Sequence, residues 1–286
     1  MNISSHRLEG KVAVVTGGSR GLGLAISRAF VRAGAAVAIA SRSEEAVRRV
    51  AEELRAAGGQ VIGVPTDVAN LEAVQDLARQ AVSKFGKLDV WVNNAGMSGP
   101  YGPTAALPVE DFTRALRTNI DGVYYGSLTA MRYFLAQKSG KLINILGRGD
   151  RNPVPYQNAY APTKAWVRSF TLAMAKEYSD CGVGVYALQP GLMLTDLVTE
   201  VEVVPGYEGR LRAFQTVLRM WANPPEVPAE KAVWLASSAT DGQTGLEVRV
   251  LTPKRLLLGA VAELFRRLTK RPAQEIPIHI RQLPGG

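Results

Sequence analysis

"VAVVTGGSRGLGLAISRAF", residues 12–30, decides the fold. A short, continuous apolar run enters a glycine-rich turn at Gly17, Gly21 and Gly23 and leaves it as a segment with helical spacing. Glycines let the backbone turn tightly and approach a pyrophosphate, whose charge then rests on the helix N-terminus. A glycine-rich turn alone is ordinary punctuation. Flanked by a strand and a helix at the head of an alternating pattern, it reads as a dinucleotide loop.

The alternation continues outward from this stretch. "AVAIAS" (36–41), "QVIGVPTDV" (60–68), "LDVWVNNAG" (88–96), "KLINIL" (141–146), "VGVYALQPG" (183–191) and "LEVRVL" (246–251) read as further strands, with helical patterns between them. Continuous apolar strands belong to a parallel sheet covered on both faces. The expected fold is therefore α/β: a Rossmann-type doubly wound parallel sheet of about seven strands, with a C-terminal helical extension. The chain of 286 residues shows no repeat, low-complexity tract or linker. One domain, 1–252, followed by an extension, 253–286, is the expected organisation.

Composition narrows the function classes. The net charge of +9 is uneven: residues 253–286 hold seven Lys/Arg against two Asp/Glu, leaving 27 against 23 in the first 252. The body is nearly balanced, so nucleic-acid binding is not expected. The apolar runs are too short for a membrane span, and "MNISSHRLEG" lacks the core of a signal peptide. The one cysteine, Cys181, fits a reducing cytoplasm. His6 and His279 stand apart from other ligand types, so no metal site is expected.

Two further stretches carry chemistry. The second strand ends in "ASRSEE", where a dinucleotide fold places an acid for a ribose 2′-hydroxyl or a base for a 2′-phosphate. Ser41 and Arg42 stand there, and Arg42, helped by Arg20 of the glycine loop, favours NADP(H) over NAD(H). The plainer reading is a capping box of Ser41 with Glu44 and a solvated Arg42. The other stretch, "NILGRGDRNPVPYQNAYAPTK" (144–164), ends with Tyr160 and Lys164, one helical turn apart on one face. A cation there favours the phenolate of a tyrosine whose ordinary pKa is ~10. The alternative is an ordinary surface pair.

Taken together, "TGGSRGLG", the NNAG of Asn93 to Gly96, "YAPTK" and "PGLMLT" resemble the short-chain dehydrogenase/reductase family across residues 8–252. The resemblance implies that Gly17, Ser19, Arg20, Gly21 and Leu22 wrap the cofactor phosphates. It places Asp67 and Val68 at the adenine, and Asn93, Ala95 and Gly96 near the neighbouring ribose. Pro190, Leu192 and Thr195 would meet the nicotinamide. Tyr160 would be the acid/base, Lys164 would bind ribose hydroxyls and lower the tyrosine pKa, and Asn119 would hold a proton-relay water. The implied activity is NADPH-dependent reduction of an aldehyde or ketone to an alcohol. The runner-up is a non-catalytic NADP(H)-binding regulator, and a third reading is a membrane-surface scaffold. A homodimer or homotetramer is expected.

The chain departs from that family at one point. The family's catalytic serine lies about thirteen residues before the tyrosine, where this chain has Gly147 after Leu146, and no Ser or Thr stands between Asn144 and Tyr160. Ser139 precedes the strand and should lie at its far end. Losing one such donor costs ~2.7–4 kcal/mol against the ~8–23 kcal/mol that enzymes supply. The expectation is a modified, live site, with backbone N–H groups of "GRGDRN", Arg148 and Asp150 nearby. Gly147→Ser should then speed reduction of a small ketone. The insert, "LQPGLMLTDL" and "VRVLTPKRLLLGAVAELFRR" are similar to chlorophyll(ide) b reductases, which reduce a ring formyl group.

Residues 199–228 occupy the expected substrate lid, where Val203, Val204, Tyr207, Phe214, Val217, Leu218 and Trp221 either line a bulky apolar pocket or pack the core. "SGPYGP" (98–103) is a candidate opposing loop or simply a turn. In 253–269, Leu257, Val261, Leu264 and Leu268 recur at helical spacing among Arg255, Arg266, Arg267 and Lys270. Packing on its own domain, a subunit contact, and an anionic membrane surface compete, the first two favoured.

Overall fold

The computed structural model describes residues 7–269, 272–273 and 276–283; His6 and Lys270 lie outside the described residues. The N-terminal half runs β1 (Val12–Thr16), α1 (Gly21–Arg32), β2 (Ala36–Ser41), α2 (Glu44–Ala56), β3 (Val61–Pro65), α3 (Leu71–Phe85), β4 (Val90–Asn93) and α4 (Val109–Leu116). A π-helical turn, Arg117–Asp121, leads into α5 (Gly122–Gln137), then β5 (Gly140–Ile145), α6 (Ala161–Glu177) and β6 (Val183–Gln189). The segment after β6 contributes β7 (Leu192–Met193), α7 (Asp196–Thr199), β8 (Glu200–Val203), α8 (Arg212–Trp221) and β9 (Ala222–Asn223). After α9 (Glu226–Ala236) come β10 (Glu247–Arg249), α10 (Pro253–Leu268) and β11 (His279–Gln282).

All seven expected strands form, and they make one parallel sheet in the order β10-β6-β5-β4-β1-β2-β3. Each is an apolar run because each is covered twice. Ile26, Phe30, Val50, Leu54 and Val233, from α1, α2 and α9, pack one face with Val15, Val37 and Ile39. Leu77, Met131, Phe134 and Met174, from α3, α5 and α6, pack the other with Val14, Trp91 and Leu142. Burying such a side chain contributes ~1.5–3 kcal/mol. The order reverses between β1 and β4, which opens a crevice at the strands' C-terminal ends. The polar tails of the runs, Asn94–Gly96 and Pro190–Gly191, leave the ladder there and become loops.

Local chemistry sets the helix ends. Asn70 caps α3 by accepting from Ala73 N at 3.1 Å, and Gly86 closes it in the left-handed conformation, φ 86°. At α2 the cap is Ser43, whose hydroxyl accepts from Ala46 N at 3.2 Å. The alternative reading of a Ser41–Glu44 capping box does not hold: the chain is still β2 at Ser41, and the cap falls two residues later.

The extension folds back on β8 and α8. β11 runs parallel to β8, and α10 packs on α8 closely enough that a Cβ on Gly259 would lie 2.2 Å from Met220 O. Trp221 Nε1 donates to Leu256 O at 3.1 Å, and Glu263 is paired with Arg266 and Arg267. The stripe read from the sequence does not pack on its own domain. Leu257, Leu258, Val261, Leu264 and Leu268 are 54–73% exposed, because α10 meets α8 through its opposite side. Among the described residues no helix is long and apolar enough to cross a membrane, and no group of His, Cys, Asp and Glu could hold a metal ion.

Candidate functional site

The glycine loop is built by contacts that admit no side chain. Gly17 and Gly21 have φ of 63° and 52°. A Cβ on Gly23 would lie 2.0 Å from Gly17 O, so only glycine lets α1 start against the strand end. Gly18 N donates to Ala40 O at 3.0 Å, tying the loop to β2 two residues before the exposed Arg42. Ser19 and Leu22 are buried on the loop's inner side. Arg20 pairs instead with Asp196 at 3.1 Å, both exposed, across to the segment after β7. Next to that bridge a Cβ on Gly21 would lie 3.4 Å from Thr195 Cγ2, so the cleft walls meet there.

The NNAG stretch divides its work in a way the sequence did not reveal. Asn93 Nδ2 donates to Asn144 Oδ1 at 2.8 Å and Ser127 Oγ at 3.0 Å, while its Oδ1 accepts from Trp91 Nε1 at 2.8 Å. That side chain is spent inside the core, leaving its backbone at the cleft. The unanticipated residue is Asn94: Nδ2 donates to Thr16 O at 2.9 Å and Gly17 O at 3.2 Å, bracing the glycine loop. Thr16 Oγ1 accepts from Asn94 N and Ala95 N at 3.0 and 3.1 Å. The clue was the doubled asparagine, whose alternate members must face opposite sides of a strand. Val68 is buried near Gly122, and Asp67 folds its carboxylate onto Ala69 N at 3.0 Å.

Asn119 is fully buried in the π-helical turn. Its Oδ1 accepts from Met97 N at 2.8 Å; its Nδ2 donates to Met97 O at 2.9 Å and Thr163 Oγ1 at 3.2 Å. The irregular turn aims a helix residue at the next loop, a common use of such bulges. A Cβ on Gly96 would sit 3.3 Å from Asn119 Oδ1 and 3.8 Å from Lys164 Nζ. Gly96 thus keeps the space before the lysine open. Pro190 is buried and Leu192 half-buried on the other wall.

Tyr160 caps α6, Pro162 helps start that helix, and Lys164 N closes the first turn on Tyr160 O at 3.4 Å. Lys164 is 4% exposed, with Nζ 5.6 Å from the Tyr160 ring centroid and one hydrogen bond, to Ile145 O at 3.1 Å. Burial pushes the lysine down to about 8. Burial also pushes the Tyr160 phenol well above its ordinary value, and the Asp150 carboxylate adds to this. Burial therefore outweighs the lowering expected of Lys164. Desolvation opposes charge on both groups, and the lysine hydrogen bonds to a carbonyl instead of the phenol. The arrangement holds a neutral phenol, a proton donor, beside a lysine whose ammonium loses its proton at about pH 8.

Gly147 decides where that phenol sits. A Cβ there would lie 2.1 Å from Tyr160 Oη, 3.0 Å from Cζ and 3.2 Å from Lys164 Cγ. The tyrosine oxygen fills the side-chain space at 147, so a serine would displace it. The expected gain from Gly147→Ser is overturned on these grounds. Ser139 lies before β5, at the far end. Asp150 is spoken for: Arg249 reaches it at 2.6 and 3.2 Å, and Arg249 also meets Glu247 at 2.8 Å, tying the insert to β10. Val203, Val204 and Leu218, for which the sequence left a pocket lining or core packing open, are buried as packing.

The residues present fit a dinucleotide: a glycine cradle that excludes Cβ atoms, and a buried lysine with N–H groups to spare behind Gly96. Comparison with known proteins gives the same direction. Residues 11–203 match the family model described as short chain dehydrogenase. The chain is 36% identical to 3beta-hydroxysteroid dehydrogenase 1 of Eggerthella lenta over 240 residues, covering 83% of this chain and 91% of that protein. It is 35% identical to a 3-oxoacyl-[acyl-carrier-protein] reductase of Synechocystis over 199 residues, covering 69% and 80%. The crystal structure of 3-ketoacyl-(acyl-carrier-protein) reductase from Brucella melitensis complexed with NADH superposes with a TM-score of 0.76 at 31% identity, covering 85% of this chain and 97% of that one.

Proposed function

The chain belongs to the short chain dehydrogenase family, and from that premise we propose that it is an NADPH-dependent carbonyl reductase with Tyr160 as its acid. The observation that carries the reading is the half-buried Tyr160, its neutral phenol lodged against Gly147 and Lys164 near its ring. When bound, the nicotinamide supplies a hydride to the carbonyl carbon. Tyr160 Oη gives its proton to the carbonyl oxygen, which becomes the alcohol, and the resulting phenolate is reprotonated from solvent. Lys164 holds ribose hydroxyls through its free N–H groups, and its charge steadies that phenolate. Asn119 orients the relay to solvent. Gly17, Ser19, Arg20, Gly21 and Leu22 surround the phosphates, and Arg42, exposed at the end of β2, takes the 2′-phosphate.

With glycine at 147, Tyr160 supplies the contact to the carbonyl oxygen that the family shares with a serine. The loss of one donor leaves most of an enzyme's barrier reduction in place. The aromatic residues of the lid support a bulky carbonyl compound of the kind the chlorophyll(ide) b reductase resemblance suggests. The same reading includes a cytoplasmic homodimer or homotetramer, supported by the free Cys181 and by the exposed stripe of α10. The test is turnover with NADPH against a panel of aldehydes and ketones, for native protein and Tyr160→Phe. Native turnover that Tyr160→Phe removes while NADPH still binds supports the reading. Equal NADPH binding with no turnover by either makes the chain a dinucleotide-binding regulator.

A further inference from the structure

Three segments meet around Tyr156, and neither the proton chemistry nor the cofactor uses them. Tyr101 comes from the loop after β4, Tyr156 lies four residues before Tyr160, and Tyr207 and Arg210 come from the lid. The Tyr156 ring centroid lies 5.8 Å from that of Tyr101 and 5.7 Å from that of Tyr207. The Arg210 guanidinium carbon sits 4.6 Å from the Tyr156 centroid and 5.8 Å from the Tyr207 centroid. Backbone bonds join the segments: Gly102 N to Tyr156 O at 3.0 Å, Tyr101 N to Glu202 O at 2.8 Å, and Val204 N to Tyr101 O at 2.9 Å.

Tyr156 holds this place at φ 66°, a left-handed conformation unfavourable for a bulky side chain. Non-glycine residues persist there when their surroundings over-determine them, and such sites cluster at ligand clamps. Arg148, exposed, directly follows Gly147; burial raises the pKa of the half-buried Tyr101 hydroxyl, and the charges of Arg210 and Arg148 act against that rise. Among the described residues, neither Arg148 nor Arg210 has a carboxylate partner, and none of the three phenolic hydroxyls has a hydrogen-bond partner. A guanidinium stacked on rings keeps its N–H edge free for a planar, two-pronged acceptor.

We propose that Tyr101, Tyr156 and Tyr207 with Arg148 and Arg210 form a substrate subsite for a flat carbonyl compound that carries a carboxylate. The rings receive the flat body and the two arginines receive the carboxylate, which leaves the carbonyl end to Tyr160. This specificity rests on the carbonyl-reductase reading.

The matched probes are 4-carboxybenzaldehyde and 4-methylbenzaldehyde, reduced with NADPH by native protein, Arg210→Gln and Arg148→Gln. Native protein should favour the carboxylate by about tenfold or more in kcat/KM. Each variant should shrink that preference by about tenfold, mainly through KM. Benzoate binding to the NADPH complex, followed by calorimetry, should weaken in both variants and stay firm in Tyr160→Phe. That arm stands even if neither aldehyde is reduced, so failure of the reductase reading is distinguishable from failure of the subsite. A native enzyme indifferent to the carboxylate, or variants that lose both substrates equally, overturns the proposal. So does benzoate binding unchanged by either arginine substitution.

Discussion

Gly147→Ala should remove most turnover by moving one oxygen. Gly147 is not among the left-handed glycines, so alanine fits its backbone and the effect must come from space. The new Cβ would start 2.1 Å from Tyr160 Oη. Close C···O contacts in proteins lie at ~3.3–3.6 Å, so the phenol must retreat by more than about 1 Å. Misplacement of that size costs on the order of 10²-fold in rate, and overpacking of a buried site costs ~1–3 kcal/mol of stability. Serine should behave alike, since its Oγ enters through the same Cβ. The assay is kcat for the best carbonyl of the panel, with NADPH affinity by calorimetry and urea unfolding alongside. A double-mutant cycle isolates the cause: Tyr160→Phe deletes the atom at 2.1 Å, so alanine should destabilise the phenylalanine background less. Native turnover in Gly147→Ala, or stability changes that add within ~0.5 kcal/mol, would refute the reasoning.

Three other outcomes are expected. Arg42→Ala should weaken NADPH binding by about tenfold or more and hardly touch NADH; equal affinity of the native protein for both dinucleotides would sink the 2′-phosphate assignment. Because folding lowers the Lys164 pKa to about 8, the unfolded chain binds more protons above that pH. Its contribution to stability should therefore rise from about pH 8 to the unfolded lysine value of ~10.4, by at most ~1.4 kcal/mol per unit. Urea titrations of native and Lys164→Met protein should diverge in that window, and parallel curves would remove the effect. Leu257→Glu with Leu264→Glu, on the exposed face of α10, should lower the particle mass seen by light scattering and leave NADPH affinity alone. Salt-sensitive binding of the native protein to anionic liposomes, lost in the variant, would assign that face to a membrane instead.

The sequence by itself determined the sheet, because period and composition are local properties. A strand buried on both faces must be apolar throughout, so "VAVVTG" and its six counterparts were legible, and "GGSRGLG" marked the place where the chain turns without side chains. The Tyr160–Lys164 pair was legible for the same reason, since helical spacing places them within one turn. Only the tertiary structure decided what depends on segments distant in the chain. It assigned the core to Asn93 and the loop brace to Asn94, because β4's two faces meet different neighbours. It turned the stripe of α10 outward, because Gly259 and Glu263 on the opposite side face α8. Around the Tyr160–Lys164 pair it put the half-buried tyrosine's oxygen into the space over Gly147 and buried the lysine. A pKa follows from desolvation and from charges brought near in space, such as Asp150 held by Arg249 of β10. Spacing along a helix carries neither quantity, and so the lysine's pull on the tyrosine, plausible in the sequence, is outweighed in the fold.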